Sequence, residues 1–161
     1  MAKPTYKELL DAGVHFGHLR KKWNPKMSPY IFMERKGIHL IDLNKTGACM
    51  ERAALAMKAI AKSGRKIMFV ATKKQAKEIV STAARSVGMP FVTERWLGGM
   101  MTNFSTIRRS VKKMNTIDRM LNDPNVAKSM TKKERLTLDR ERIKLEKVLG
   151  GIANLNRLPS A

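Results

Sequence analysis

Five consecutive apolar residues, Ile67-Met68-Phe69-Val70-Ala71, constrain this chain more than any other stretch. Ser63-Gly64 precedes them and Thr72-Lys73-Lys74 follows. A short continuous apolar run between turn signals is the pattern of a strand buried on both faces, which requires helices above and below it. The flanks supply the helical patterns. Upstream, Met50, Ala53, Ala54, Met57, Ile60 and Ala61 fall on one helical face. Downstream, Ala76, Ile79, Val80, Ala83 and Val87 mark a second helix, which Gly88 ends. Pro90-Phe91-Val92-Thr93 reads as the next strand, and residues 38–43 form an earlier apolar run. Strand, helix, strand, helix, strand is the grammar of parallel crossovers, so the expected class is α/β with a layered parallel sheet.

The ends of the chain read differently. Thr5-Tyr6-Lys7-Glu8 is a capping box that opens a short helix through Ala12, and Gly13 ends it. Residues 14–27 hold no period and read as a long ordered loop. Residues 31–33 are a strand candidate, with Glu34-Arg35-Lys36-Gly37 as its turn. Beyond residue 101, Ile107, Val111, Met114, Ile117 and Leu121 form one stripe. Asn122-Asp123-Pro124-Asn125 breaks that helix. Thr131-Lys132-Lys133-Glu134 is a second capping box, followed by Leu138, Leu145, Leu149 and Ile152 on one side. Two narrow-striped helices around a polar break predict an antiparallel hairpin closed by Gly150-Gly151.

Charge bounds the partner. The 161 residues include 33 Lys+Arg against 13 Asp+Glu, a formal net charge of +20. A compact protein so charged repels itself, and nucleic acid is the commonest polyanion that relieves this. No stretch approaches the roughly 20 apolar residues that span a bilayer, so no membrane partner is expected. The N-terminus leads into a polar helix without an apolar signal segment, and Cys49 is the one cysteine. Both fit a reducing, cytoplasmic setting.

Enzyme signatures are missing. No Gly-x-Gly-x-x-Gly, phosphate loop or Gly-x-Ser-x-Gly occurs, and the carboxylates are few and scattered. No catalytic residue, cofactor or small-molecule substrate is expected. His15 and His18 have a spacing that suits one ion, but a closed zinc site takes four ligands. The reading preferred is that these imidazoles hold the turn at residues 13–18 by hydrogen bonds, with no metal.

Three segments are candidates for RNA. Arg20, Lys21, Lys22 and Lys26 surround Trp23 and Asn24. Cations neutralise phosphates, while the indole either stacks on an unpaired base or plugs the core. Arg95 and Asn103 bracket Trp96-Leu97-Gly98-Gly99 where a strand gives way to a helix, a place for a phosphate or simply a sharp turn over a packed Trp96. Arg108, Arg109, Lys112 and Lys113 form a basic block on the first hairpin helix, whose own acid nearby is Asp118. The second helix mixes Arg140, Arg142, Lys144 and Lys147 with Asp139, Glu141 and Glu146, the pattern of a self-paired solvated face.

With these residues assembled, the chain resembles the S-two family of bacterial small-ribosomal-subunit proteins. The resemblance rests on Leu9-Leu10-Asp11-Ala12-Gly13-Val14-His15-Phe16-Gly17-His18, Trp23-Asn24-Pro25-Lys26-Met27 and Pro29-Tyr30-Ile31-Phe32. It continues in Gly37-Ile38-His39-Leu40-Ile41-Asp42-Leu43, Phe69-Val70-Ala71-Thr72-Lys73 and Arg95-Trp96-Leu97-Gly98-Gly99-Met100-Met101-Thr102-Asn103, ending in Thr131-Lys132-Lys133-Glu134 and Leu158-Pro159. It implies a three-layer flavodoxin-like, Rossmann-like parallel sheet with an inserted antiparallel helical hairpin. Residues 1–101 would be the α/β body, 102–154 the hairpin and 155–161 a return to the body. It further implies a non-enzymatic constituent of the small subunit in translation, bound to small-subunit rRNA between head and body. Partners would be the messenger-binding ribosomal protein one and neighbouring small-subunit proteins. The family pattern continues past Leu158-Pro159 with more sheet and helix, so a missing C-terminal part is expected. A free-standing RNA-binding module with the same surface is the competing reading; it would bind generic RNA as tightly as rRNA.

Overall fold

The computed structural model describes residues 4–161, without the side chains of Asn125, Ala127 and Lys128. The chain divides into two compact units, one running to Ala59 and one spanning Ile60–Ala161.

The first unit opens with helix α1 (Tyr6–Asp11). The Thr5 hydroxyl accepts from the Glu8 amide, and the Glu8 carboxylate accepts from the Thr5 amide, completing the expected capping box. Three strands follow: β1 (Phe16–Leu19), β2 (Ile31–Arg35) and β3 (Ile38–Ile41). They form an antiparallel sheet in the order β1-β3-β2, with Phe16 opposite Leu40 and Arg35 opposite Ile38. Strand β1 corrects the expectation of a loop over residues 14–27. Phe16-Gly17-His18-Leu19 carries no alternation, and its pairing with β3, rather than local pattern, makes it a strand. Gly17 has a packing reason, since a Cβ there would stand 2.9 Å from the His39 carbonyl oxygen. Between β1 and β2 lie two short 3-10 helices, Arg20–Lys22 and Pro25–Tyr30.

Helix α2 (Leu43–Lys62) starts at Asp42, whose carboxylate accepts from the Asn44 amide 2.9 Å away. Its anticipated inward stripe is not buried. Met57 is 38% exposed, and Met50, Ala53, Ala54 and Ala61 are exposed as well. Half of that stripe is alanine, which offers little area to bury, and α2 contributes Leu43 alone to the buried set.

In the second unit, β4 (Phe69–Val70) and β5 (Phe91–Val92) pair in parallel, Phe69 beside Phe91 and Val70 beside Val92, with α3 (Lys74–Ser86) between them in sequence. The parallel expectation holds for this pair. The run at residues 38–41 lies instead in the antiparallel sheet, because Gly37 turns β2 straight back onto β3. On α3 the inward line is Ala76, Val80 and Ala84, whereas Ile79 is 72% exposed and Val87 also faces outward. The last residues run beside β4, the Ser160 amide donating to the Lys66 carbonyl and the Met68 amide to Ala161.

The main core of this unit comprises Val92, Met100, Ile107, Val111, Met114, Leu149, Ile152 and Leu155. Helices α4 (Phe104–Asn122) and α6 (Lys132–Leu149) supply half of it, with the short α5 (Pro124–Ser129) between them in sequence. The expected α4 stripe is the buried one, and Thr131 with Glu134 completes the capping box of α6. Gly151 is required for packing: a Cβ there would fall 2.1 Å from the Phe91 carbonyl oxygen, so the 3-10 helix Gly150–Ile152 lies directly on β5. No helix among the described residues is long and apolar enough to cross a membrane.

Candidate RNA-binding surface

Residues 20–26 form a basic turn held by backbone hydrogen bonds. Arg20, Lys21 and Lys22 make a single 3-10 turn, all exposed. The turn is docked on the β2–β3 hairpin: the Arg20 amide donates to the Gly37 carbonyl at 2.9 Å, and the Arg20 guanidinium lies 3.6 Å from Glu34. Asn24 has a structural duty, because its side chain accepts from the Lys26 amide at 2.9 Å and caps the second 3-10 helix. Pro25 suits the first position of that helix, where an amide proton would find no partner. Lys26 remains exposed.

Trp23 is half-buried, its ring 4.9 Å from that of His39 and tilted by 41°. Part of the indole surface is therefore taken by a packed neighbour. His39 has both ring nitrogens buried without a hydrogen bond. The His15 Nδ1 is likewise unpartnered, and its ring rests on Phe16 at 4.1 Å. His15 thus packs against an aromatic ring, which corrects the expectation that it holds the turn through hydrogen bonds. The amide of Phe16 donating to the Gly13 carbonyl closes that turn instead. No group of three metal-ligating side chains occurs among the described residues.

The second candidate lies in the second unit. Gly99 has φ +76°, and a Cβ there would press on Asn103 at 3.1 Å, so glycine is needed for the turn into α4. Asn103 is exposed, its amide donating to the Gly99 carbonyl at 2.7 Å and its Oδ1 accepting from Thr106 at 2.8 Å. Its side chain thus braces the first turn of α4. Arg95 is exposed. Trp96, expected beneath the turn, is 41% exposed; Met100 and Leu97 do the packing.

The four α4 cations are sorted by their surroundings. Arg108 is turned inward, donating to the Leu155 carbonyl at 2.8 Å and holding the start of α4 to the end of the core. Lys113 pairs with Glu141 of α6. Asp118, the acid of α4 itself, lies 3.8 Å from Arg142 of α6, which also reaches Asp139 and Glu146. The compensating acids missing from α4 in sequence are thus supplied across the helix pair. Arg109 and Lys112 are exposed and carry no ion pair among the described residues. Arg119 lies on the same outward line (residues 105, 109, 112, 116 and 119, all exposed), a position that sequence spacing alone could have found.

A third basic element, Arg35 with Lys36, was legible only as a turn. The Arg20–Gly37 hydrogen bond brings it beside Arg20, Lys21 and Lys22.

Comparison with known proteins follows the same residues. Residues 9–161 match the family described as Ribosomal protein S2. A small ribosomal subunit protein uS2 from Cytophaga hutchinsonii is 64% identical over 159 residues, covering 99% of this chain and 62% of that protein. Those of Bacteroides thetaiotaomicron and Phocaeicola vulgatus are each 60% identical over 161 residues, covering all of this chain and 58% and 57% of theirs. The chain therefore spans about three-fifths of the length of these relatives. A family match over nearly every residue, with identities of this size, means that the chain belongs to the ribosomal protein S2 family.

Proposed function

We propose that this chain is a structural, non-catalytic part of the small ribosomal subunit in the bacterial cytoplasm, acting in translation by binding small-subunit rRNA. The observation that carries the reading is the family match over residues 9–161. Charge supports it. The net +20 is displayed largely on exposed side chains, including Arg20, Lys21, Lys22, Lys26, Arg95, Arg109 and Lys112, and a phosphate backbone neutralises such a surface. Contacts of this kind position a protein on RNA without reading sequence.

In this reading residues 1–101 belong to a flavodoxin-like body, 102–154 to an antiparallel hairpin and 155–161 to a return to the body. The protein lies between head and body of the subunit and helps recruit the messenger-binding ribosomal protein one. Trp23, Asn24, Asn103, Arg108 and Lys113 then act mainly by fixing the shape on which the free cations are held.

The test is filter binding of the chain to small-subunit rRNA across a salt series, with unrelated RNA as competitor. Wild type should bind rRNA in preference, with affinity falling steeply as salt rises. Reversing charge at Arg20, Lys21 and Lys22 to Glu should flatten the log–log slope by about two to three, one for each phosphate that is no longer neutralised. Equal competition by unrelated RNA would favour a free-standing RNA-binding module, and a slope unchanged in the triple variant would remove the basic turn from the interface.

A further inference from the structure

The β2–β3 connection contains an unusual residue. Arg35 pairs with Ile38, leaving Lys36 and Gly37 as a two-residue hairpin loop. Their φ values are +53° and +74°, so both central residues are left-handed, as the tightest hairpin turns require. Glycine or asparagine normally fills such positions, because a Cβ with a long side chain is disfavoured there. Gly37 obeys this rule. Lys36 does not, and it is the one non-glycine residue with positive φ among the described residues.

What surrounds that turn makes lysine a still odder choice. The Arg20 amide donates to the Gly37 carbonyl, so Arg20, Lys21 and Lys22 lie against the hairpin tip that carries Arg35 and Lys36. These two short segments hold five cations and one carboxylate, and Arg20 already pairs with that carboxylate, Glu34. Local backbone preference and local electrostatics therefore both argue against a cation at residue 36. Neither an ion pair nor a side-chain hydrogen bond of Lys36 compensates within the described residues. A disfavoured backbone conformation kept at an unpaired cation is a signature of function rather than of folding.

We infer that Lys36, with Arg35 beside it, is a preorganised phosphate-binding tip that grips the RNA backbone together with Arg20, Lys21 and Lys22. This rests on the rRNA-binding role proposed above and extends it to two residues outside the basic turn at residues 20–26. The two-residue turn fixes the backbone from which the lysine projects, so little backbone freedom remains to be lost on docking. The ligand it fits is an RNA phosphate rather than a base, since a lysine ammonium is a point charge without a reading pattern.

The experiment compares the full chain with Lys36→Asn, Lys36→Gln, Lys36→Arg and Arg35→Gln, measuring thermal midpoint and binding to a small-subunit rRNA transcript over a salt series. Lys36→Asn should raise the midpoint by about 2–5 °C, because asparagine accepts the left-handed backbone. It should at the same time weaken RNA binding about three- to tenfold at moderate salt and reduce the salt slope by about one. Lys36→Gln should weaken binding equally without the gain in midpoint, and Lys36→Arg should bind as wild type does. Arg35→Gln should lose a similar share of slope. Unchanged binding in Lys36→Asn and Lys36→Gln, with wild type still binding rRNA, overturns this inference alone. Failure of wild type to bind overturns the inference and the proposed function together.

Discussion

The two units are held together by different means. In the first, Leu43 is the one buried hydrophobic residue among those described, and Phe16, Leu19, Phe32 and Met33 stand exposed around a three-stranded antiparallel sheet. Its order comes from ladder hydrogen bonds, capping and a tight hairpin. The second unit contains every other buried hydrophobic side chain among the described residues, most of them gathered where α4, α6, β5 and the 3-10 helix at Gly150–Ile152 meet. The contrast lies in burial and not in charge, because exposed cations stand on both units. The second unit gathers most of the buried apolar side chains among the described residues, whereas the first has little core beneath its cations at residues 20–22, 35 and 36.

The sharpest way to break that comparison is one disruptive substitution on the apolar stripe of a helix in each unit. Leu149 is 2% exposed and packs with Val92, Ile107 and Ile152 in one cluster. Leu149→Ala should cost about 2–5 kcal/mol, read as a fall in the denaturant midpoint followed by far-UV circular dichroism. Met57→Asp, on the exposed stripe of α2, should cost less than about 1 kcal/mol. If the aspartate variant unfolds the chain while the alanine variant is tolerated, the burial contrast between α2 and the α4–α6 core is wrong.

That pair of outcomes also marks what the sequence could reveal. Both capping boxes and the α4 stripe were legible, because each is a local pattern whose partner lies within a few residues. The strands at residues 69–70 and 91–92 and the start of β2 at residues 31–33 were legible for the same reason, whereas Glu34 and Arg35, read as turn, continue β2 by pairing with β3. Strand β1 was not, since Phe16-Gly17-His18-Leu19 becomes extended only through β3, some twenty residues away. The inward face of α2 was misread because periodicity reports which residues share a face, not whether anything covers it. In the candidate site, the cations themselves were legible from composition. Their sorting was not. Arg108 and Lys113 are taken by the Leu155 carbonyl and by Glu141, distant partners that no local window contains.

A smaller effect separates local from tertiary order within the second unit. Thr131 accepts from the Glu134 amide and donates its own amide to the Glu134 carboxylate, at the far end of α6 from the core residue Leu149. Thr131→Ala should cost about 1 kcal/mol, and hydrogen exchange should show the first turn of α6 opening while the amides near Leu149 stay protected. Loss of protection along the whole helix would mean that the cap, and not the core, holds α6 in place.

The smallest expected effect concerns the ion pair at the end of β5. The Lys77 ammonium donates to Glu94 at 3.0 Å, with Lys147 4.0 Å away, and this hydrogen bond holds the Glu94 carboxyl below the ordinary glutamate range. Both partners are partly open to solvent, which keeps the contribution small. A carboxyl whose pKa is lowered by folding stabilises the fold at neutral pH, and that contribution disappears as the pH falls through the lowered value. Glu94→Gln should therefore lower the thermal midpoint slightly at pH 7, and the gap from wild type should close below about pH 4. The gap at pH 7 should also narrow in high salt, since screening weakens exposed pairs. A gap that persists unchanged in acid would mean that Glu94 contributes through packing beside α3 and α6 rather than through its charge.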